Sequence, residues 1–115
     1  MQFNRLEPDF AVSGQIAVAD VAGIAAEGFK ALVNNRPDGE APDQPTSQEI
    51  GSEAARHGLL YRYIPIQPGQ MTEDSARGLL EVIRSAGGPT FAYCRSGARS
   101  TNLYKAAQQI AGARE

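Results

Sequence analysis

The chain's single cysteine, Cys94, lies in the stretch FAYCRSGARS (residues 91–100), between an apolar run and a short loop rich in Arg, Ser and Gly. If a helix begins near Arg99, the unpaired backbone N–H groups of the loop can surround a point just above the sulfur. These donors and the positive end of the helix dipole favour the thiolate, which is the nucleophilic form of cysteine. The loop is therefore expected to combine a reactive sulfur with an anion-binding site.

The other residues of this loop have expected roles in holding the anion. Gly97 allows the backbone to approach it closely, and the Arg99 guanidinium can donate two parallel hydrogen bonds to a tetrahedral oxyanion. The residues expected to bind the anion are Arg95, Ser96, Gly97, Ala98 and Ser100. For Arg95 two orientations stay open, one toward solvent and one that recruits substrate.

A lone cysteine that ends an apolar strand is more often an inert core residue than a nucleophile. The loop after Cys94 argues against that interpretation, because two arginines, two serines and a glycine between a buried strand and a helix have little packing value. The sequence therefore favours catalysis or anion binding at Cys94.

A second group of polar residues lies in the stretch NNRPDGE (residues 34–40), after another apolar run. Asn34, Asn35 and Arg36 are expected to line the pocket or to support the cysteine loop through side-chain hydrogen bonds, and support is the favoured role. Asp38 is a candidate general acid because it follows the end of a predicted strand, although Pro-Asp-Gly is equally an ordinary turn. The other acidic candidates, Glu73 and Asp74, are also what a helix N-terminus favours.

Strands and helices that position these residues can be predicted from the apolar pattern. Strands are predicted at residues 10–12 and within 29–35, 59–66 and 89–94. Helices are predicted over 19–27, from a capping box at Thr46 and Glu49 to Gly58, from Thr72 to Gly87, and from Arg99 through Ile110. The alternation predicts a three-layer α/β fold with a mainly parallel sheet of about four to five strands and helices on both faces. Cys94 would then lie at the carboxyl end of a strand, where such sheets bind ligands.

Composition limits the class of protein. The 115 residues, 12.3 kDa and 42% hydrophobic content predict one domain, residues 1–115. A net charge of −2 gives no general attraction to nucleic acid or to an anionic membrane. Neither a membrane span nor a secretory signal is recognisable, so a cytoplasmic location is expected. One cysteine and one histidine indicate no disulfide and no metal site, and no cofactor is predicted.

Together, NNRPDGE and AYCRSGARS resemble the small bacterial family named for the phosphatase-like domain of beta-lactamase-hydrolase-like proteins, from about Leu6 through Ala106. That family is similar in fold to the dual-specificity protein tyrosine phosphatases. The resemblance implies a phosphocysteine intermediate on Cys94, with Arg99 as the oxyanion ligand. Because family relatives occur fused to a metallo-beta-lactamase-like domain, it also implies a separate partner enzyme of that type.

The sequence departs from the usual phosphatase pattern in two ways. Tyr93 replaces the usual His, and four residues rather than five separate Cys94 from Arg99, a length similar to the active loop of the rhodanese sulfurtransferases. The stretch QPGQ (residues 67–70) also lacks the Asp that phosphatases usually use as general acid. The favoured function is hydrolysis of a small phosphate monoester through Cys94. Two alternatives are a sulfurtransferase that carries a persulfide on Cys94 and a non-catalytic anion-binding or interaction module.

Overall fold

The computed structural model describes residues 1–113, which form five strands and four helices. The strands are β1 (Asn4–Glu7), β2 (Phe10–Ser13), β3 (Ala31–Asn34), β4 (Leu60–Tyr63) and β5 (Thr90–Tyr93). The helices are α1 (Asp20–Ala26), α2 (Ser47–Arg56), α3 (Glu73–Ser85) and α4 (Ala98–Ala113). No helix within this described part of the chain is both long and apolar enough to cross a membrane.

One sheet contains all five strands in the order β1-β2-β5-β3-β4. β1 runs antiparallel to β2, and the other pairings are parallel. β5 is the central strand, so Ala92 pairs with Val12 on one side and with Val33 on the other. Cys94 therefore leaves the sheet from its most enclosed strand.

Helices cover the sheet on both faces and divide the core into two layers. Because successive side chains of a strand point to opposite faces, Val33 and Ala92 join the core beneath α3 and α4, whereas Leu32 and Phe91 join the core beneath α1 and α2. All four residues are fully buried. The three-layer, mainly parallel α/β fold expected from the sequence is confirmed.

The helix starts predicted from capping residues are also confirmed. The Thr46 hydroxyl accepts a hydrogen bond from the Glu49 N–H while the Glu49 side chain accepts one from the Thr46 N–H, which completes a capping box. Thr72 caps α3 in the same way through Ser75. The last helix begins at Ala98, one residue before the expected Arg99.

Two elements differ from the prediction. β1 was not predicted, because its mostly exposed residues NRLE lack the apolar alternation that marks a strand. β4 ends at Tyr63 rather than continuing to Ile66, because the regular pairing with β3 stops there: Ile64 and Ile66 donate to the adjacent carbonyls of Asn34 and Asn35 rather than to alternate ones. The chain still follows β3 past that point, since the Ile66 N–H donates to the Asn35 carbonyl at 3.0 Å. This path brings the Ile66 carbonyl to the cysteine loop.

Candidate active site

The Cys94 sulfur lies inside a ring of backbone N–H groups. The Gly97 N–H donates a hydrogen bond to Sγ at 3.0 Å, and the Cys94 residue is fully buried. Burial raises the pKa of the thiol, but the backbone N–H groups of Ser100, Ser96, Gly97 and Arg99 together lower the pKa further, so it lies below its ordinary value of 9.0. The loop therefore favours a thiolate at Cys94.

Gly97 holds the loop in a shape that a larger residue would disturb. Its φ angle is 95°, and a Cβ added there would lie 3.4 Å from the backbone C and O atoms of Ser13. The segment after β2 also holds the loop from outside, because the Gln15 N–H donates to the Arg95 carbonyl at 3.2 Å. The cysteine loop is thus packed backbone to backbone against the end of β2.

Arg99, in the first turn of α4, is oriented by acceptors from two other segments. Its Nη1 donates to Glu40 Oε2 and to the Ile66 carbonyl, both at 2.8 Å, and its Nη2 donates to Glu40 Oε1 at 2.8 Å. A guanidinium has five N–H donors arranged as two forks. Apart from an interaction with the Cys94 side chain, the fork formed by Nε and the second Nη2 hydrogen has no partner among residues 1–113, so it is available to a bidentate anion above the sulfur.

Glu40 joins Arg99 to a second arginine. Arg36 Nε donates to Glu40 Oε1 at 2.9 Å, and Arg36 Nη1 donates to Gln15 Oε1 at 3.0 Å. The hydrogen bond from Arg99, followed by that from Arg36, lowers the pKa of the Glu40 carboxyl to about 2, although desolvation opposes the shift. Glu40 is therefore a carboxylate at neutral pH. The same pairing raises the pKa of Arg99, to which the charge of Cys94 also contributes.

The two asparagines at the end of β3, Asn34 within the strand and Asn35 directly after it, make contacts that connect the strands to the loop. The Ser100 hydroxyl donates to Asn35 Oδ1 at 2.8 Å, and Asn35 Nδ2 donates to the Ile64 carbonyl at 2.9 Å. Asn34 Oδ1 accepts from the Arg36 N–H at 2.9 Å, and its Nδ2 donates to the Tyr61 hydroxyl at 3.2 Å. Asn35 thus contacts the N-terminal turn of α4 directly, whereas Asn34 shapes the turn that carries Arg36.

Asp38 is engaged with α2. Its Oδ1 accepts from the Ser47 N–H at 2.8 Å, and its own N–H donates to the Tyr63 hydroxyl at 2.8 Å. The Ser47 N–H is one of the donors that a helix leaves unpaired at its N-terminus. The structure thus gives Asp38 a local contact that stabilises a helix end.

A cavity of about 430 Å³ opens beside the cysteine loop, and we call it the arginine cavity. It is lined by Arg36, Glu40, Ala41, Pro68, Arg95 and Arg99. Arg95 is exposed at its rim. Ser96 and Ala98 are exposed as well, but they lie on the other side of the loop, where the Ala98 N–H is 3.4 Å from Ser96 Oγ.

A larger cleft, of about 490 Å³, lies on that other side, and we call it the uncharged cleft. Its lining includes Phe3, Asn4, Ser13, Ser96, Thr101 and Asn102, and none of its described lining residues is ionisable. The charged groups that can bind an anion therefore belong to the smaller of the two cavities.

Sequence reasoning missed the parts of the site that orient Arg99. The sequence predicts no role for Glu40, although it ends the motif NNRPDGE, and none for Gln15 or the Ile66 carbonyl. Arg99 and Glu40 are 59 positions apart, so no local pattern pairs them. The available signal was that NNRPDGE holds a second carboxylate besides Asp38, in a motif expected at the same sheet edge as Arg95 and Arg99.

Solved structures similar to this chain are phosphatases by name. A candidate phosphatase from Neisseria meningitidis gives a TM-score of 0.78 at 29% identity, covering 87% of this chain and 71% of that one. A candidate phosphatase from Shewanella putrefaciens gives a TM-score of 0.81 at 17% identity, covering 98% of this chain and 74% of that one. The chain therefore has a phosphatase-like fold.

Curated relatives and a family match identify the group more closely. The beta-lactamase hydrolase-like protein of Agrobacterium fabrum is 35% identical over 112 residues, and that of Xylella fastidiosa (strain Temecula1) is 32% identical over 112 residues. These alignments cover 97% of this chain but 26% of each relative, so the chain spans about a quarter of their length. Residues 2–111 match the family described as "Beta-lactamase hydrolase-like protein, phosphatase-like domain". Because this match extends over nearly the whole chain, the chain belongs to the phosphatase-like domain family of beta-lactamase hydrolase-like proteins.

Proposed function

We propose that this chain is a cysteine-dependent hydrolase of phosphate monoesters, with Cys94 as nucleophile and Arg99 and the loop amides as ligands of the transferred group. The observation that carries the proposal is the 3.0 Å hydrogen bond from the Gly97 N–H to Cys94 Sγ, within a loop whose amides lower the pKa of the thiol. Donors that stabilise a thiolate can also stabilise the oxygens of a phosphoryl group above it. The phosphatase-like fold supports the same function.

The reaction has two steps. The Cys94 thiolate attacks phosphorus, a P–S bond forms, and the P–O bond to the leaving group breaks with its electron pair on oxygen. Water then attacks the phosphocysteine, releases inorganic phosphate and restores the thiolate. The open fork of Arg99 would hold two equatorial oxygens in both steps.

Leaving groups are limited by the acids that the cavity offers. Glu40 is the one carboxyl among the six described residues that line the arginine cavity, and its pKa of about 2 leaves it without a proton at neutral pH. Without a general acid, alkyl leaving groups should react about 10²- to 10⁴-fold more slowly than an assisted reaction would. Phosphate esters whose leaving group is a stable anion, such as a phenolate, should therefore react faster than alkyl esters.

A sulfurtransferase is a second candidate, favoured by the four-residue spacing between Cys94 and Arg99 and by the ionised Glu40. The thiolate would attack the outer sulfur of thiosulfate, so that an S–S bond to Cys94 forms and sulfite leaves with the electron pair of the broken S–S bond. Cyanide would then take the bound sulfur as thiocyanate and restore the thiolate. Sulfite is a good leaving group, so this route requires no acid.

One pair of assays separates these candidates. The wild-type chain and its Cys94→Ser variant are given an aryl phosphate in one assay and thiosulfate with cyanide in the other. Phosphate release that falls by about 10⁴-fold or more in the variant supports the hydrolase. Thiocyanate formation without phosphate release overturns the hydrolase in favour of the sulfurtransferase. Activity in neither assay, with inorganic phosphate still bound, leaves only an anion-binding module.

A further inference from the structure

The arginine cavity holds more positive charge than the proposed reaction uses. Its described lining carries three guanidiniums and one carboxylate. The carboxylate of Glu40 is shared between Arg99 and Arg36. Arg99 is assigned to the transferred group, so Arg36 and Arg95 are the arginines that the reaction leaves unused.

Arg36 is a buried arginine with one nitrogen that has no partner. The residue is 7% exposed, its Nε donates to Glu40 and its Nη1 donates to Gln15. Nη2 has no hydrogen-bond partner among residues 1–113. It is not one of the fully buried polar atoms in that range, so the missing partner does not mean that it is enclosed. Nη2 therefore keeps some exposure, and Arg36 is one of the residues that line the cavity. A buried guanidinium fixed on two sides is a preorganised donor.

Arg95 supplies a second, adjustable charge at the same cavity. Its backbone carbonyl accepts from the Gln15 N–H at 3.2 Å, so its Cα is held next to the residue that also holds Arg36. Its side chain is exposed and makes no ion pair within the described residues. The two guanidiniums thus line one cavity from segments that share Gln15.

We propose that Arg36 and Arg95 form a second anion subsite, and that the substrate carries one further anionic group, such as a carboxylate, beside the group that Cys94 attacks. This inference rests on the proposed function and names its substrate class. None of the six described lining residues is aromatic, so the cavity offers no ring to stack on a phenyl substrate. A small phosphate monoester with a second anionic group fits its charge better than a phosphotyrosine side chain does.

Phosphonates test the subsite without turnover, because their P–C bond is not hydrolysed by this chemistry. Calorimetry at low ionic strength measures the binding of phosphonoacetate, which carries a carboxylate, and of phosphonoacetamide, in which a neutral amide replaces that carboxylate. Inorganic phosphate serves as the reference anion. The proteins are the wild type, Arg95→Gln, and Arg84→Gln, which removes an exposed arginine of α3 outside the arginine cavity.

The wild type and Arg84→Gln are expected to bind phosphonoacetate about threefold to tenfold more tightly than phosphonoacetamide, and Arg95→Gln is expected to lose most of that preference. The ratio of the two dissociation constants is compared between variants, because the different ionisation of the two phosphonates affects that ratio equally in every variant. The subsite is overturned if the wild type shows no preference for phosphonoacetate, or if Arg95→Gln keeps the full preference. In either case, binding of inorganic phosphate leaves the proposed function intact. Failure to bind even inorganic phosphate overturns both.

Discussion

The two cavities beside the cysteine loop differ in chemistry more than in size. The uncharged cleft is larger, about 490 Å³ against about 430 Å³, but its described lining has no ionisable side chain. The arginine cavity combines three guanidiniums with a carboxylate that holds two of them. The uncharged cleft is thus the larger cavity, but the arginine cavity has the charges that can bind an anion.

The difference follows from which segments reach each side of the loop. The arginine cavity is built from the segments that follow β3, β4 and β5, at the carboxyl ends of parallel strands, where the backbone leaves the sheet and polar side chains can converge. The uncharged cleft is bounded partly by β1, the antiparallel edge strand. The uncharged cleft also lies at carboxyl ends of parallel strands, beside Ser13 of β2 and Ser96 after β5. The charged side chains that follow β3 and β5, rather than parallel topology or cavity volume, thus mark the candidate active site.

The strongest test of the comparison changes one residue on each side. Arg99→Lys is expected to lower kcat/KM for an aryl phosphate by about 10²- to 10³-fold, because lysine cannot offer a fork of parallel donors to an oxyanion. Asn102→Ala, in the uncharged cleft, is expected to stay within about twofold of the wild type. Circular dichroism checks that both variants fold. Equal losses of kcat/KM in Arg99→Lys and Asn102→Ala would show that the two cavities do not differ in function.

Gly97 lies between the two cavities and tests the loop itself. Gly97→Ala is expected to destabilise the fold by about 1–2 kcal/mol, because alanine is strained at a φ of 95°. It should also raise the pKa of the Cys94 thiol, which the rate of iodoacetamide alkylation against pH measures. Gly23→Ala is the matched control, since that α1 glycine has open space around its Cβ position and alanine should stabilise the helix by about 0.5–1 kcal/mol. The same thiol pKa in both variants would contradict the role of the loop amides.

Glu40 tests whether the charged side also stabilises the fold. The folded-state pKa of Glu40, about 2, is below the ordinary value of 4.5, so its ionised form stabilises the fold above pH 4.5 and that contribution is lost as the pH falls toward 2. Because Glu40 is exposed and solvent screens its ion pairs, Glu40→Gln should lower the free energy of unfolding by about 0.5–1 kcal/mol at pH 6 and by less at pH 3.

Urea unfolding at the two pH values measures this difference. Glu81→Gln, which removes an exposed carboxylate of α3 that has no ion-pair partner among the described residues, controls for the loss of one negative charge. A loss of stability in Glu40→Gln that is the same at pH 3 and pH 6 would show that the ion pairs contribute nothing to the fold.

The smallest expected effect is at Asp38, two residues before Glu40. Asparagine can still accept from the Ser47 N–H, so Asp38→Asn should change stability by less than about 0.5 kcal/mol, whereas Asp38→Ala should lose about 0.5–1 kcal/mol. Phosphate release by Asp38→Asn should stay near that of the wild type. A loss of 10²-fold or more in Asp38→Asn, with the fold intact, would identify Asp38 as the general acid instead.

Local sequence signals were enough to predict the fold and the Cys94 loop. Helix starts at Thr46 and Thr72 depend on residues three positions apart, and the apolar run before Cys94 marks a buried strand. The partners of Arg99 could not be predicted, because Glu40 and Ile66 reach it only after the strands are placed in order. β1 was missed because a polar edge strand depends on pairing with β2 rather than on its own hydrophobic pattern.

The central position of β5 has a consequence for inactivation. Cys94 directly follows the strand that is hydrogen-bonded on both edges, and its loop is packed against the end of β2. The contacts that support this loop, at Ser13, Gln15 and Asn35, all come from the ends of neighbouring strands. Loss of thiol reactivity and loss of the sheet should accordingly share one midpoint in a denaturant titration.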